Sequence, residues 1–131
     1  MTTSTFEFVP HPDEGWVHIF VRGKMTAPEA TEARARMVTD HPHLNRLWDF
    51  RQADLTAWTG DDMRMFNEMI MLSEGHGAEV RIAALVARDV DFGVARMYES
   101  ISAGDFIRDG AVFRDEEKAL AFVRRSGPAV G

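Results

Sequence analysis

The chain has 131 residues, 45% of them hydrophobic and 27% charged, with a formal net charge of −6 and no cysteine. This content supports a packed core and excludes a disordered chain, while the acidic balance excludes a nucleic-acid partner, which needs a dense basic surface. The missing cysteines exclude disulfides, zinc–thiolate sites and thiol nucleophiles together, and fit a reducing compartment.

The length suits one domain over residues 1–131, with an ordered core over about 6–125. Met1 to Thr5 has neither a basic region nor an apolar core and is not a signal peptide. The apolar run Ile82 to Ala87 is far below the roughly 20 residues of a membrane span, so a soluble, cytoplasmic protein is expected.

Phe6-Glu-Phe-Val9 alternates and is short, as an edge strand does. Pro10 to Gly15 is a turn, and Trp16 to Val21 is rich in β-branched and aromatic residues, so a second strand pairs antiparallel with the first. Thr26-Ala-Pro-Glu29 has capping-box spacing, and Ala30, Ala33, Met37 and Val38 follow as a helical stripe. Asp40-His-Pro-His43 ends that helix, because a residue before proline is pushed out of helical geometry.

Leu44 to Asp49 reads as a third strand, and Arg51 to Ala57 as an irregular connection. Thr59 and the acids after it open a helix carrying Met63, Phe66, Met69 and Ile70 at helical spacing, which Gly75-His-Gly77 stops. Ile82 to Ala87 has no polar alternation, the pattern of a strand covered on both faces, and is expected to be the central parallel strand. Asp89 or Asp91 then caps a helix through about Ser102. Ala103 to Asp105 is loop, Gly110 to Phe113 a last strand, Asp115 the start of a final helix, and Ser126 to Gly131 a tail. The order β-β-α-β-α-β-α-β-α defines an α/β fold: a mostly parallel five-stranded sheet with an antiparallel edge strand.

Three stretches resemble a known family: Leu47-Trp-Asp-Phe50; Arg81 to Val86 with Phe92-Gly-Val-Ala-Arg-Met-Tyr98; and Val112 to Phe122. Together they resemble the STAS-like anti-sigma-factor antagonists, especially the small stand-alone SpoIIAA-like or STAS/Sec14-type bacterial domains. The resemblance implies a SpoIIAA-like fold and a non-enzymatic regulatory or protein-interaction module. In the antagonists a serine in an Asp-Ser-Ser-Gly stretch is phosphorylated. Here the corresponding Leu55-Thr-Ala-Trp-Thr-Gly60 lacks the Asp-Ser and keeps a hydroxyl before glycine at Thr59, which as a plain reading is a helix cap.

Candidate site residues follow from position. Ligands in α/β sheets sit outside the carboxyl ends of the strands, which points to Asp49, Arg51, Gln52, Asp54, Thr56, Thr59, Arg88, Asp89 and Asp91. No catalytic pair, phosphate loop or cofactor motif emerges, and the plain reading is that Asp89 caps a helix and Asp49 pairs with Arg51. His41 and His43 flank a proline with no evident third metal ligand, and His18 on a strand reads as structural or interfacial. Met65 and Met71 lie off the core stripe; exposed beside Trp58 they would form an apolar interface for self-association or a protein partner. Arg96 can pair with Glu99 or Asp91. The alternative to an interaction module is a domain binding a lipid or other small apolar molecule, and a third reading is a phospho-switch at Thr59 or Thr56.

Overall fold

The computed structural model describes residues 2–74, 80–102 and 109–124, with the side chains of 71–74, 102 and 109 outside that description. The expected helix stop at Gly75 to Gly77, the loop at Ala103 to Asp105, the tail from Ser126 and the side chain of Met71 therefore lie outside the described residues.

The first strand, β1 (Ser4–His11), is joined by a single 3₁₀ turn at Pro12–Glu14 to β2 (Trp16–Lys24). Gly15 closes the turn at φ 75°, a left-handed conformation that glycine adopts without steric cost. The two strands pair antiparallel from Ser4 opposite Gly23 to His11 opposite Trp16, as expected. Ordered structure starts before residue 6: the Thr3 N–H and the Ser4 hydroxyl bond the Glu29 carboxylate at 2.7 and 2.6 Å.

Helix α1 (Ala27–Asp40) starts at Thr26, whose hydroxyl accepts from the Glu29 N–H at 3.4 Å, and buries Ala30, Ala33, Arg34 and Met37. The capping box is mainly one-sided, because the Glu29 carboxylate is turned to the N-terminal strand.

Strand β3 (Asn45–Asp54) corrects the expected boundary. It does not stop at Asp49; Gln52 to Asp54 pair in parallel with Arg22 to Lys24, beyond a register shift that sets the Asp49–Gln52 segment against Phe20–Arg22. One residue more on β3 than on β2 is a bulge, which a sequence pattern of period two does not announce. Helix α2 (Gly60–Glu74), β4 (Arg81–Leu85), α3 (Asp89–Ser102), β5 (Asp109–Phe113) and α4 (Glu116–Val123) follow.

The five-stranded sheet has the order β1-β2-β3-β4-β5, parallel except for the first pair. The strand expected at the centre, β4, is therefore fourth; β3 is central. Because every parallel connection advances the same way and right-handed crossovers are the rule, α1, α2 and α3 share one face of the sheet. Helix α4, coming after the last strand, packs on the other. Its Ala119 and Val123 meet Trp16, Leu47, Ala83 and Leu85.

The face under α1–α3 carries Val17, Ile19 and Val21 of β2, all buried with Ala30, Met37, Val86 and Ala95. Burying each of the larger aliphatic side chains contributes about 1.5–3 kcal/mol. Strand β4 is not sealed equally on both sides. Ala83 and Leu85 are fully buried toward α4, whereas Ile82 and Ala84 on the opposite face are only half-buried and border a cavity.

Candidate functional site

The cavity lies between the sheet and the three-helix layer and has a volume of 710 Å³. Its floor is built by alternation. Arg46, Trp48 and Phe50 of β3, Ile82 and Ala84 of β4 and Val112 of β5 all point to the same side. Met63, Phe66 and Ile70 of α2, one helical stripe, face it from above, with Val94, Ala95 and Tyr98 of α3 beside them. The wall is mostly apolar and aromatic: Phe66 sits edge-on between Trp58 and Tyr98, at ring-centroid distances of 5.4 and 6.0 Å. Polar groups are few. Arg34 and Arg46 are 4% and 1% exposed, and the Trp58 indole Nε1 is buried with no hydrogen-bond partner among the described residues.

A second constellation occupies the α4 face. His18 of β2 and Asp49 of β3 are both buried, with His18 Nε2 2.9 Å from Asp49 Oδ2. Arg51 forks onto the same carboxylate, Nε to Oδ1 at 3.0 Å and Nη2 to Oδ2 at 2.7 Å, while its own N–H donates to Oδ1 at 3.1 Å. Arg51 also reaches Glu116 at 3.4 Å. Burial alone would raise the Asp49 pKa; the bonds from His18 and Arg51 outweigh it and hold the carboxyl well below the usual range. His18 is stacked on Phe20 with ring centroids 3.8 Å apart, and Trp16 lies 5.5 Å away on its other side. Every oxygen of Asp49 is engaged, so this is a structural tie between β2 and β3 and not an available base. The expected Asp49–Arg51 pairing holds, but within the sheet and not in a loop at its carboxyl edge.

The carboxyl edge carries a third group. Asp91 is 1% exposed and accepts from the Leu55 N–H at 3.0 Å and from Arg88 Nε at 2.7 Å. Arg88 reaches Asp54 at 3.4 Å, and Asp54 accepts from the Thr56 hydroxyl at 2.6 Å. The Thr56 hydroxyl and N–H bonds, with Arg88 beside them, hold the Asp54 pKa down; the bonds of Asp91 hold the Arg88 pKa up. Neither acid caps α3, contrary to expectation. The first helical bond runs from the Phe92 N–H to the Arg88 carbonyl at 3.0 Å. Exposed Asp89 pairs with Arg114 at 2.8 Å, and buried Asp91 ties the loop after β3 to the start of α3.

Thr59 is the cap of α2. Its hydroxyl accepts from the Asp62 N–H at 3.1 Å, and the Asp62 carboxylate accepts from the Thr59 N–H at 3.0 Å. Gln52 bonds Arg22 Nε at 3.0 Å, and Arg96 takes Glu99 at 3.1 Å as its partner. Among the described residues, no three histidine, aspartate or glutamate side chains converge to hold a metal.

The expected interface is only partly assembled. Met65 is 68% exposed on α2, but Trp58 turns inward to the cavity instead of standing beside it. Arg34, Arg46, Trp48 and Ile82 do not stand out in the sequence as site residues. The available signal was the alternation of Arg46, Trp48 and Phe50, which puts the three on one face of β3.

Fold and site together define an α/β domain of the SpoIIAA-like fold. The chain is similar to the crystal structure of an uncharacterized DUF3478-family protein with a SpoIIAA-like fold from Shewanella loihica PV-4. The TM-score is 0.56 at 15% identity, covering 94% of this chain and 95% of that one. At that identity the likeness carries the fold. No family model and no curated protein matches the sequence. No helix among the described residues is long and apolar enough to cross a membrane.

Proposed function

We propose that this chain is a non-enzymatic binding domain for a small apolar molecule held between the sheet and helices α1–α3. The observation carrying this reading is the cavity itself. Small-molecule sites typically enclose roughly 300–1,000 Å³, lined by apolar side chains with a few placed polar groups. A volume of 710 Å³ walled by Trp48, Phe50, Phe66 and Ile82, with Arg46 and Trp58 Nε1 as polar points, fits that description. The ionisable groups near the sheet edges are spent on one another, which supports binding over catalysis. Native mass spectrometry of freshly purified protein tests this: a co-purified apolar species at one per chain supports it, and a bare chain that also fails to take up added apolar probe contradicts it.

A second reading, a regulatory or self-association module, is favoured by a different observation. Met65 on α2 and Met97 and Val90 on α3 are exposed apolar side chains on neighbouring helices. Sedimentation at micromolar concentration, with Met65→Glu as the control, separates this reading from the first.

A further inference from the structure

The apolar side chains on the cavity wall differ in how much surface they leave accessible. Met25, Met37, Leu55 and Met63 border the cavity but are almost wholly buried, their surface already spent on the protein's own packing. The rings of Trp48, Phe50, Trp58, Phe66 and Tyr98 border it and are only half-buried. The aliphatic groups that are half-buried there, Ile82, Val94 and Val112 among them, are smaller. A molecule entering the cavity therefore meets aromatic surface over much of the wall.

The rings are held in two arrangements. On the floor, Trp48 and Phe50 stand two residues apart on β3 with near-parallel planes, 15° between them and centroids 6.3 Å apart. Above the floor, the Phe66 ring is steeply inclined to both of its neighbours, at 84° to Trp58 and 65° to Tyr98. An aromatic ring has negative faces and a positive edge, so offset stacking and edge-to-face contact add to what burial alone contributes. Floor rings that share an orientation, under rings turned across one another, offer a flat aromatic guest both kinds of contact. A saturated guest gains only burial and dispersion from the same wall.

Resting on the reading of the cavity as an apolar-ligand site, we propose that its ligand is a flat aromatic molecule with a body of fused rings. That body is seated between Phe66 on the helix side and Trp48 and Phe50 on the sheet side.

The test is calorimetric titration of the wild-type chain with a pair of compounds sharing one skeleton and one hydroxyl: 2-naphthalenemethanol and its saturated counterpart, decahydro-2-naphthalenemethanol. Burial alone ranks the two as equals or favours the bulkier saturated compound, so ring contacts are read as a reversal of that order. The naphthalene compound should bind at least about fivefold more tightly, the advantage expected of one or two ring contacts. Phe66→Leu keeps an apolar side chain and removes the ring; it should lower that ratio at least about twofold and leave the affinity of the saturated compound within about twofold. Should that variant not fold, Phe50→Leu serves, and the wild-type comparison needs neither. A smaller or reversed ratio in the wild type, or an unchanged ratio in the folded variant, overturns the proposal while the apolar site stands. Failure of both compounds to bind saturably overturns the apolar site itself.

Discussion

His18 Nε2 and Asp49 Oδ2 meet at 2.9 Å between neighbouring parallel strands, on the sheet face opposite the cavity. The pair fastens β2 to β3 where the bulge between Phe20 and Arg22 interrupts regular pairing. Bulges are found beside sites where a side chain must be re-aimed. Arg51, two residues beyond Asp49 and so on the same face of β3, folds its guanidinium back onto that carboxylate.

Asp49→Ala should therefore destabilise the fold by about 2–4 kcal/mol, since it strands His18 and Arg51 donors beside a buried site. Asp49→Asn should cost less, because an amide oxygen still accepts from one of them. Urea unfolding at neutral pH measures both; equal stability of wild type and Asp49→Ala would remove the structural role assigned to the network.

The same residue shapes the acid limb of stability. The folded-state pKa of Asp49 is depressed, so the unfolded chain binds this proton first as pH falls. The contribution is fully present above the unfolded carboxyl value of about 4 and is lost progressively below it. Glu29, held at about 2 by the Ser4 hydroxyl and the Thr3 N–H, acts in the same direction. Unfolding midpoints between about pH 5 and 2 should fall less steeply in Asp49→Asn than in wild type, and again less steeply in Glu29→Gln. An unchanged slope in both variants would mean that neither carboxyl differs between the folded and unfolded chains.

Gly23 fixes the other end of the β1–β2 pair. Its φ is 89°, and a Cβ there would lie 2.5 Å from the Thr3 carbonyl oxygen. Gly23→Ala should cost about 1–3 kcal/mol, through both the left-handed backbone and the displaced N-terminal residues. The expected readout is a lower thermal midpoint, together with loss of amide protection at Lys24, whose N–H donates to the Thr3 carbonyl at 2.9 Å.

Thr59 separates the capping reading from the phospho-switch reading. Thr59→Ala should cost about 1 kcal/mol, and Thr59→Ser should restore most of it, because only the hydroxyl acceptor is needed. Phosphate at Thr59 would stand among Asp61 and Asp62 in the first turn, an acidic neighbourhood that offsets the favourable helix end.

Much of the scaffold was legible because its signals are local. Alternation and turn chemistry set out β1 and β2, Thr26 and Asp115 announced their helices, and the unbroken run at Ile82 marked a strand with helices on both sides. What escaped depends on register and on tertiary distance. The bulge that extends β3 to Asp54 adds one residue without any compositional trace. The rank of β4 in the sheet depends on pairing, not on its own hydrophobicity. Asp89 and Asp91 have the same chemistry and similar positions, yet one is exposed against Arg114 and the other is buried beneath Leu55, a difference set by where the β3–α2 loop returns. The cavity was illegible for a related reason. Ile82 and Ala84 read as core in sequence, and only the spacing of the helix layer leaves room above them.

The proposed function requires that room to bind an apolar molecule. The most direct measurement is a fluorescence titration of N-phenyl-1-naphthylamine into the wild-type chain and into Ala84→Trp, which places a large ring on the cavity floor. Saturable binding at one site per chain in the wild type, abolished in a variant whose unfolding midpoint is maintained, is the predicted result. Absence of saturable binding, or identical binding by the filled variant, would contradict it.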